Sequence, residues 1–215
     1  DMLILVATSG DTGKAALEGF RDVARTRILV FYPSEGVSEV QRAQMVTQDG
    51  KNLGVVAVEG NFDDAQTGVK KIFSSVQMRE VLAKKNLKLS SANSINWGRL
   101  APQIAYYFSA YRSLCETGKL HCGDPVNFVV PTGNFGNILA GYYAKQMGLP
   151  INRLICASND NNVLTDFLRT GVYDRNRPFH QTISPSMDIL ISSNLERLLY
   201  DATDGDTGKA ASWMG

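Results

Sequence analysis

The sequence predicts an α/β protein with mostly parallel sheets and helices on both faces of those sheets. Apolar runs of strand length recur along the chain, and each is followed by a stretch with helical spacing. This alternation is typical of parallel sheets, because the chain must cross back over the sheet before the next strand can begin. The predicted strands are residues 3–7, 27–32, 53–58, 126–131 and 153–157.

Apolar residues at helical intervals predict the helices between these strands. The longest begins near Asn96 and continues to Glu116, where apolar side chains recur every three or four positions. After residue 173 the chain is rich in Pro, Ser, Asn and Arg, which predicts a long ordered loop before the last helix. The predicted helices are residues 12–23, 37–48, 62–74, 96–116, 138–147 and 194–200.

A change in composition near residue 90 predicts two subdomains. A lysine-rich polar segment at residues 84–88 is followed by an unusual run rich in Ser and Asn at residues 90–97. We therefore expect a smaller α/β subdomain over residues 1–90 and part of a larger one over residues 91–215. A strand of the buried type opens the chain without an initiator methionine, which suggests an internal piece of a longer protein.

The composition excludes several kinds of function. Twenty-two basic and 21 acidic residues leave a net charge of +1, with no basic stripe for a nucleic acid. No apolar run approaches the ~20 residues that cross a bilayer, and no signal peptide is recognisable, so a cytoplasmic protein without a membrane partner is expected. Cys115, Cys122 and Cys156 have no paired spacing, which predicts free thiols, and His121 beside Cys122 lacks the further ligands of a metal site.

The strongest candidate site is the run from Val129 to Asn137, where a strand enters a loop bracketed by glycines and then a helix. Such a junction presents unpaired backbone N–H groups at the positive end of the helix dipole, so its expected ligand is a phosphate. Thr132 and the asparagines Asn134 and Asn137 can add side-chain donors. The alternative is a turn that serves only as a helix cap.

A second junction of this kind lies at residues 7–14. It is not a Walker loop, because Thr8 stands where that loop needs glycine and Ala15 where it needs Ser or Thr, and ATP binding is therefore a remote possibility. The alternative is a helix cap by Ser9 or Asp11, with Gly13 allowing close packing. Two such turns at the carboxyl ends of parallel strands suggest a shared cleft.

The seven residues 10–16 recur unchanged at residues 205–211. A repeat architecture would need the flanking elements to recur as well, and they do not. We interpret the second copy as a coincidence.

Five segments of the chain, in this order, resemble the longer, bacterial and fungal type of threonine synthase. Together they cover nearly the whole chain, and they are residues 8–15, 93–97, 131–137, 157–164 and 184–189. The resemblance implies a fold shared with the β subunit of tryptophan synthase, with pyridoxal 5'-phosphate held between a smaller and a larger domain. It also implies the conversion of O-phosphohomoserine and water into threonine and inorganic phosphate. The oligomeric state stays open.

The resemblance also implies which residues form the site. The cofactor-binding set is Thr132, Gly133, Asn134, Phe135, Gly136 and Asn137; Asn137 departs from the aspartate that is common in relatives. The residues expected near the cofactor ring or the substrate carboxylate are Ser9, Gly10, Asp11 and Thr12. The residues expected to line the substrate site are Asn96, Ser158, Asn159, Asp160 and Asn161.

The lysine that forms the Schiff base in this family is expected upstream of Asp1, in a short Phe-Lys-Asp context that residues 1–215 lack. Lys14 is predicted to be an ordinary surface lysine on the first helix turn. The chain alone is therefore expected to be inactive. The alternative is a non-catalytic paralogue that binds phosphate or the cofactor, or that acts as a regulatory module.

Overall fold

The computed structural model describes residues 1–8, 10–35, 37–94 and 96–214. They form two compact units, Asp1–Asn96 and Trp97–Gly215, each with its own hydrophobic core.

The first unit is built on a four-stranded parallel sheet in the order β3-β2-β1-β4. The two central strands are flanked on both sides, and their apolar residues are buried on both faces of the sheet. The strands are β1 (Met2–Ala7), β2 (Thr26–Pro33), β3 (Leu53–Val58) and β4 (Lys88–Ser91).

Helices cover both faces of this sheet, which confirms the predicted fold class. Alternate residues of β1 point to opposite faces, so that Val6 packs with the first two helices while Leu5 packs against Ala65 and Val69 of the third. The helices are α1 (Asp11–Phe20), α2 (Glu39–Val46), α3 (Phe62–Ser74) and α4 (Val76–Lys84).

The second unit contains a parallel pair of strands, five α-helices and a short 3-10 helix (Pro185–Met187) among its described residues. In chain order they are α5 (Trp97–Glu116), β5 (Val126–Pro131), α6 (Gly136–Gln146), β6 (Ile151–Ala157), α7 (Val163–Thr170), α8 (Leu195–Ala202) and α9 (Thr207–Met214). One face of the strand pair is buried, where Val130 packs with Leu100 of α5 and Leu139 of α6. On the other face Val129 and Ile155 lie opposite each other and are 64% and 43% exposed.

All five predicted strands are present, and the differences have local causes. Strand β4 escaped prediction because it is short, polar and paired on one side only, with β1. Helix α1 ends at Phe20 rather than residue 23, since Asp22 and Arg25 adopt positive φ angles of 55° and 61° that turn the chain. The first unit continues past residue 90 to Asn96. No helix among residues 1–8, 10–35, 37–94 and 96–214 is long and apolar enough to span a membrane.

Candidate functional site: a strand-loop-helix junction with open N–H groups

The loop between β5 and α6 carries an unusual backbone conformation. Phe135 has φ 64° and ψ 0°, in the left-handed region, although it is a bulky residue and its side chain is 6% exposed. Such a conformation costs about 1–3 kcal/mol and persists only where the surrounding structure imposes it. A left-handed residue next to a helix start is also the backbone pattern of anion-binding nests.

The loop has its acceptors bound and its donors open. The carbonyl oxygen of Gly133 accepts a hydrogen bond from the Ser192 hydroxyl, and that of Asn134 accepts from both the backbone N and the Nδ2 of Asn194, at 3.1 and 3.0 Å. Within the described part of the chain, no hydrogen bond uses the backbone N–H groups of residues 133–137. Open N–H groups at a helix start suit an anion, because they add to the positive end of the helix dipole.

The two glycines near this loop serve packing within the protein. A Cβ on Gly133 would lie 2.9 Å from Ile189 Cδ1, so this glycine permits the close approach of residues 187–189. A Cβ on Gly141 would lie 2.6 Å from Tyr107 Cε1, so this glycine permits the close packing of α6 against α5.

Tyr107 fixes the first turn of α6 from below. Its hydroxyl lies 2.8 Å from the carbonyl oxygen and 2.9 Å from Oδ1 of Asn137. Burial raises the pKa of Tyr107 to about 12, so the hydroxyl remains a donor at neutral pH. The Asn137 side chain is thereby held by the protein through its oxygen.

The side chains predicted to add donors differ in their surroundings. Thr132 is buried and donates its hydroxyl hydrogen to Val130 O at 2.7 Å, so that hydrogen is engaged within the end of β5. Asn134 is half-buried and Asn137 is exposed. The backbone of the loop therefore offers more open donors than its side chains do.

The turn between β1 and α1 is capped by Thr8, a residue that sequence reasoning did not select. Thr8 Oγ1 accepts hydrogen bonds from Gly10 N at 2.9 Å and Gly13 N at 3.0 Å. Ser9, one of the two predicted caps, lies outside the described residues. Asp11, the other, instead accepts a hydrogen bond from Gln41 Nε2 at 2.9 Å. The signal available in the sequence was a hydroxyl residue two positions before a glycine.

Glycine is required at the first position of this turn. Gly10 has φ 151°, and a Cβ there would lie 2.4 Å from the Gln41 amide carbon. Gly13 packs under the turn, since its Cβ would lie 2.5 Å from Thr8 Cγ2. Thr12, the remaining predicted residue, starts the helix with Asp11.

Asn93 joins the end of β1 to the chain that follows β4. Its Oδ1 accepts from Ala7 N at 3.0 Å, and its Nδ2 donates to Ala7 O at 2.6 Å. The amide therefore replaces a neighbouring strand for one residue. Asn96, a predicted substrate-site residue, donates through Nδ2 to Ser91 O at 2.8 Å.

The turn after β6 is built on a carboxylate that sequence reasoning also left out of the site. Asp188 Oδ1 lies 2.7 Å from Asn159 Nδ2 and 3.1 Å from Asn161 Nδ2. Thr182 donates two further hydrogen bonds to Asp188, from its backbone N to Oδ2 at 2.9 Å and from its hydroxyl to Oδ1 at 2.7 Å. Of the predicted substrate-site residues, Asn159 and Asn161 are thus engaged inside this network.

The other two predicted residues of this turn lie at its rim. Asp160, between the two asparagines, is exposed. Ser158 is half-buried and accepts a hydrogen bond from the Thr165 hydroxyl at 3.3 Å.

Lys14, in the first unit, is held along helix α1 by an ion pair with Glu18 at 3.2 Å and by a hydrogen bond to Gln48.

Fold and loop together define an α/β protein with a strand-loop-helix junction whose backbone N–H groups are open among the described residues. No protein-family model matches the chain. It is 53% identical to human threonine synthase-like 1 over 92% of its own length and 28% of that protein. It is 47% identical to the threonine synthase of Pseudomonas aeruginosa, over 98% of the chain and 42% of that enzyme. The crystal structure of threonine synthase from Brucella melitensis, with pyridoxal phosphate bound, matches all of the chain at a TM-score of 0.80 and 47% identity.

Over nearly its whole length the chain is therefore a homologue of the threonine synthases, and the resemblance and fold predicted from its motifs are confirmed. It spans between about a quarter and less than half of the length of these relatives.

Proposed function

We propose that the chain is part of a pyridoxal-phosphate-dependent threonine synthase, which converts O-phosphohomoserine and water into threonine and inorganic phosphate. The observation that carries the proposal is the loop of residues 133–137, whose N–H groups are open while its carbonyl groups at Gly133 and Asn134 are bound. The homology to threonine synthases over 98% of the chain supports the same function.

The loop fits the phosphate group of pyridoxal phosphate. A phosphate monoester carries close to two negative charges and needs several donors, which a helix start and a left-handed residue supply without any charged side chain. The residues that would hold it are the backbone groups of Gly133, Asn134, Phe135, Gly136 and Asn137. Thr132, directly after β5, would support the loop through its hydrogen bond to Val130 O.

Pyridoxal phosphate, when bound, supplies an electron sink for carbanion chemistry at the substrate amino acid. The chain's own residues bind and orient. Tyr107 fixes the helix start at Asn137, and Asp188 fixes the turn of residues 158–161 that we assign to the substrate site. The turn at Ser9, Gly10, Asp11 and Thr12 is assigned to the ring or the substrate carboxylate. Gln41 binds the Asp11 carboxylate, which partly offsets its repulsion of an anion.

The lysine that would bind the cofactor covalently is assigned to a segment outside residues 1–215. Lys14 is a poor candidate, because Glu18 and Gln48 engage its ammonium group. We further propose that residues 1–90 belong to the smaller subdomain and residues 91–215 to the larger, cofactor-binding one. A cytoplasmic location stays a prediction.

The alternative is a non-catalytic paralogue that binds phosphate or the cofactor. The reason to keep it is that a protein named threonine synthase-like 1, and not simply threonine synthase, is 53% identical to the chain, against 47% for the Pseudomonas enzyme. Both alternatives require the phosphate loop, and they differ in the covalent step alone.

The first test is a titration of the chain with pyridoxal phosphate, with binding followed by the phosphorus NMR signal. Asn134→Asp should weaken binding by more than about tenfold, because a carboxylate within a few ångströms repels the phosphate. The matched control is Asn152→Asp, an exposed residue at the opposite end of the parallel strands.

Equal binding by the two variants would refute the loop as the phosphate site.

Borohydride reduction followed by intact-mass analysis tests the covalent step. No stoichiometric lysine adduct is expected, whereas a single specific adduct at Lys14 or another lysine of the chain would overturn the assignment of the lysine to a segment outside it.

A further inference from the structure

Residues 180–194, referred to here as the 180–194 segment, contact both the loop after β5 and the turn after β6. Thr182 and Asp188 of this segment form hydrogen bonds with Asn159 and Asn161 in the turn after β6. Near its end, Ser192 and Asn194 bind the loop after β5. Between these two attachments, Ile189 lies against Gly133.

The contacts of Ser192 and Asn194 determine the orientation of two peptide groups. In a trans peptide the carbonyl oxygen and the following N–H point in opposite directions. Because Ser192 binds the oxygen of Gly133, the N–H of Asn134 points away from the 180–194 segment. Because Asn194 binds the oxygen of Asn134 twice, the N–H of Phe135 points away as well.

The contacts are buried, so they resist replacement by water. Ser192 is 6% exposed and Asn194 2% exposed. Without the Ser192 hydroxyl, the Gly133 carbonyl would be a buried acceptor left unsatisfied, and turning its peptide group toward solvent would relieve this. Without the Asn194 side chain, the Asn134 carbonyl would keep only the hydrogen bond from the backbone N of Asn194, so its peptide group would be held less firmly. A peptide group rotated in this way would present a carbonyl oxygen, rather than an N–H group, to an anion.

The start of the segment is anchored independently. Asp188 accepts four hydrogen bonds, from Asn159, Asn161 and twice from Thr182. Tyr173 fixes the stretch between, since its hydroxyl donates to Leu190 O and accepts from Ser192 N, both at 2.8 Å. The position of Ser192 is therefore fixed by contacts other than the one that it makes with the loop.

We propose that Ser192 and Asn194 are positioning residues that hold the loop of residues 133–137 in its anion-binding form. They act on the carbonyl side of the loop and do not touch the anion. The inference rests on the proposed function, because it assigns a role to the residues behind the same loop. It also gives a function to the part of the chain that follows the motif at residues 184–189.

The experiment compares Ser192→Ala and Asn194→Ala with the unmodified chain. Dissociation constants are measured for inorganic phosphate, for pyridoxal phosphate and for pyridoxal, which lacks the phosphate. Each variant should bind the two phosphate-bearing ligands about two- to twelvefold more weakly, the equivalent of one lost hydrogen bond. Binding of pyridoxal should be unchanged.

Two control variants lose the same kind of contact elsewhere. Thr203→Val removes a buried hydroxyl that donates to Tyr200 O in the same unit. Asn52→Ala removes an amide that donates to Phe20 O and Thr26 O in the first unit. Both should retain phosphate affinity even where their unfolding temperature falls.

A second readout needs no ligand. Nitrogen-15 relaxation of the amides of residues 134–137 should report increased motion in Ser192→Ala and Asn194→Ala, and none in the controls. If the unmodified chain binds neither phosphate nor pyridoxal phosphate, the proposed function fails. The positioning role is then tested by the relaxation of the loop amides alone. Unchanged loop amides, or unchanged phosphate affinity in a chain that does bind, would overturn the inference.

Discussion

The Asn159 amide nitrogen lies 2.7 Å from the Asp188 carboxylate, and this pair is the centre of the network that closes the turn after β6. The two residues are separated by 29 positions in the sequence. Asp188 also accepts hydrogen bonds from Thr182, and the Asn159 oxygen accepts one from the backbone N of Asn161, but the contact between Asn159 and Asp188 emerges only from the fold.

Replacing Asp188 by Asn should destabilise the second unit. The substitution keeps the shape but turns one of the two acceptor oxygens into a donor, which would face either the amide donors of Asn159 and Asn161 or the backbone N–H of Thr182. We expect a loss of about 1–3 kcal/mol in the free energy of unfolding, measured by urea denaturation. Asp174→Asn is the control, because Asp174 is exposed and accepts one local hydrogen bond. Equal stability of the two variants would contradict the role of Asp188.

Gly133→Ala should be destabilising, and shortening Ile189 should relieve the effect. The new Cβ would lie 2.9 Å from Ile189 Cδ1, the atom that Ile189→Val removes. We expect about 1–3 kcal/mol for Gly133→Ala and about 0.5–1.5 kcal/mol for Ile189→Val. The double variant should lose less than the sum, and a double-mutant cycle measures the difference. Strict additivity would show that the two residues do not meet.

Asn93→Ala should loosen the end of strand β1. It removes both side-chain hydrogen bonds to Ala7 and leaves a backbone N–H and C=O unpaired next to the buried sheet. The expected cost is about 1–3 kcal/mol, with faster hydrogen exchange at the Ala7 amide. Asn176→Ala, at an exposed position of the second unit, should leave that exchange rate unchanged. Slow exchange at Ala7 in both variants would argue against the contact.

The titration of the tyrosines should separate into two groups. Burial raises the pKa of both Tyr107 and Tyr143 to about 12, with the nearby Asp201 carboxylate adding to the shift of Tyr143. Ultraviolet titration of the eight tyrosines should therefore include a late phase, and Tyr107→Phe should reduce its amplitude. A titration that is complete near the ordinary pKa of 10.0 would contradict this result.

The same shift makes stability depend on pH in a defined direction. Because the folded state keeps the Tyr107 proton longer than the unfolded state, its contribution is fully present below pH 10.0 and is lost as the pH rises toward about 12. Tyr107→Phe should lose less stability over that interval than the unmodified chain. Parallel alkaline curves for the two proteins would exclude Tyr107 as a cause.

Local patterns in the sequence were sufficient for most of the fold. The five predicted strands follow from apolar runs, and these survive in the structure because each strand buries side chains in the core. Strand β4 lacked such a run, since it is held by pairing with β1 and by the two hydrogen bonds that Asn93, just after the strand, forms with Ala7. Pairing partners that are distant in the chain leave no periodic signal.

The repeated seven residues illustrate the limit of local motifs. Both copies begin a helix, α1 and α9. In the first copy Thr8 binds the N–H groups of Gly10 and Gly13, whereas in the second Asp206 accepts from Lys209 N and its helix starts one position later in the repeat. Identical residues thus receive different caps because a strand precedes one copy and a helix precedes the other.

The loop that we propose as the phosphate site could be selected from the sequence, whereas the contacts that hold it could not. Glycines and asparagines between a strand and a helix indicated the loop at residues 133–137, but the left-handed Phe135 could not be read from its residue type. Ser192 and Asn194 reach the loop from about sixty positions away. Ordinary serines and asparagines in a polar segment carry no sign of such a contact.

The open face of the β5–β6 pair affects how the chain behaves at high concentration. Val129 and Ile155 are neighbours across the two strands, and together they present β-branched apolar surface to water. Surfaces of this kind lower colloidal stability, and they do so without altering the fold beneath them. Exchanging both residues for threonine keeps the preference for strand and removes most of the apolar surface, so the solubility limit of the chain should rise while its unfolding curve stays in place.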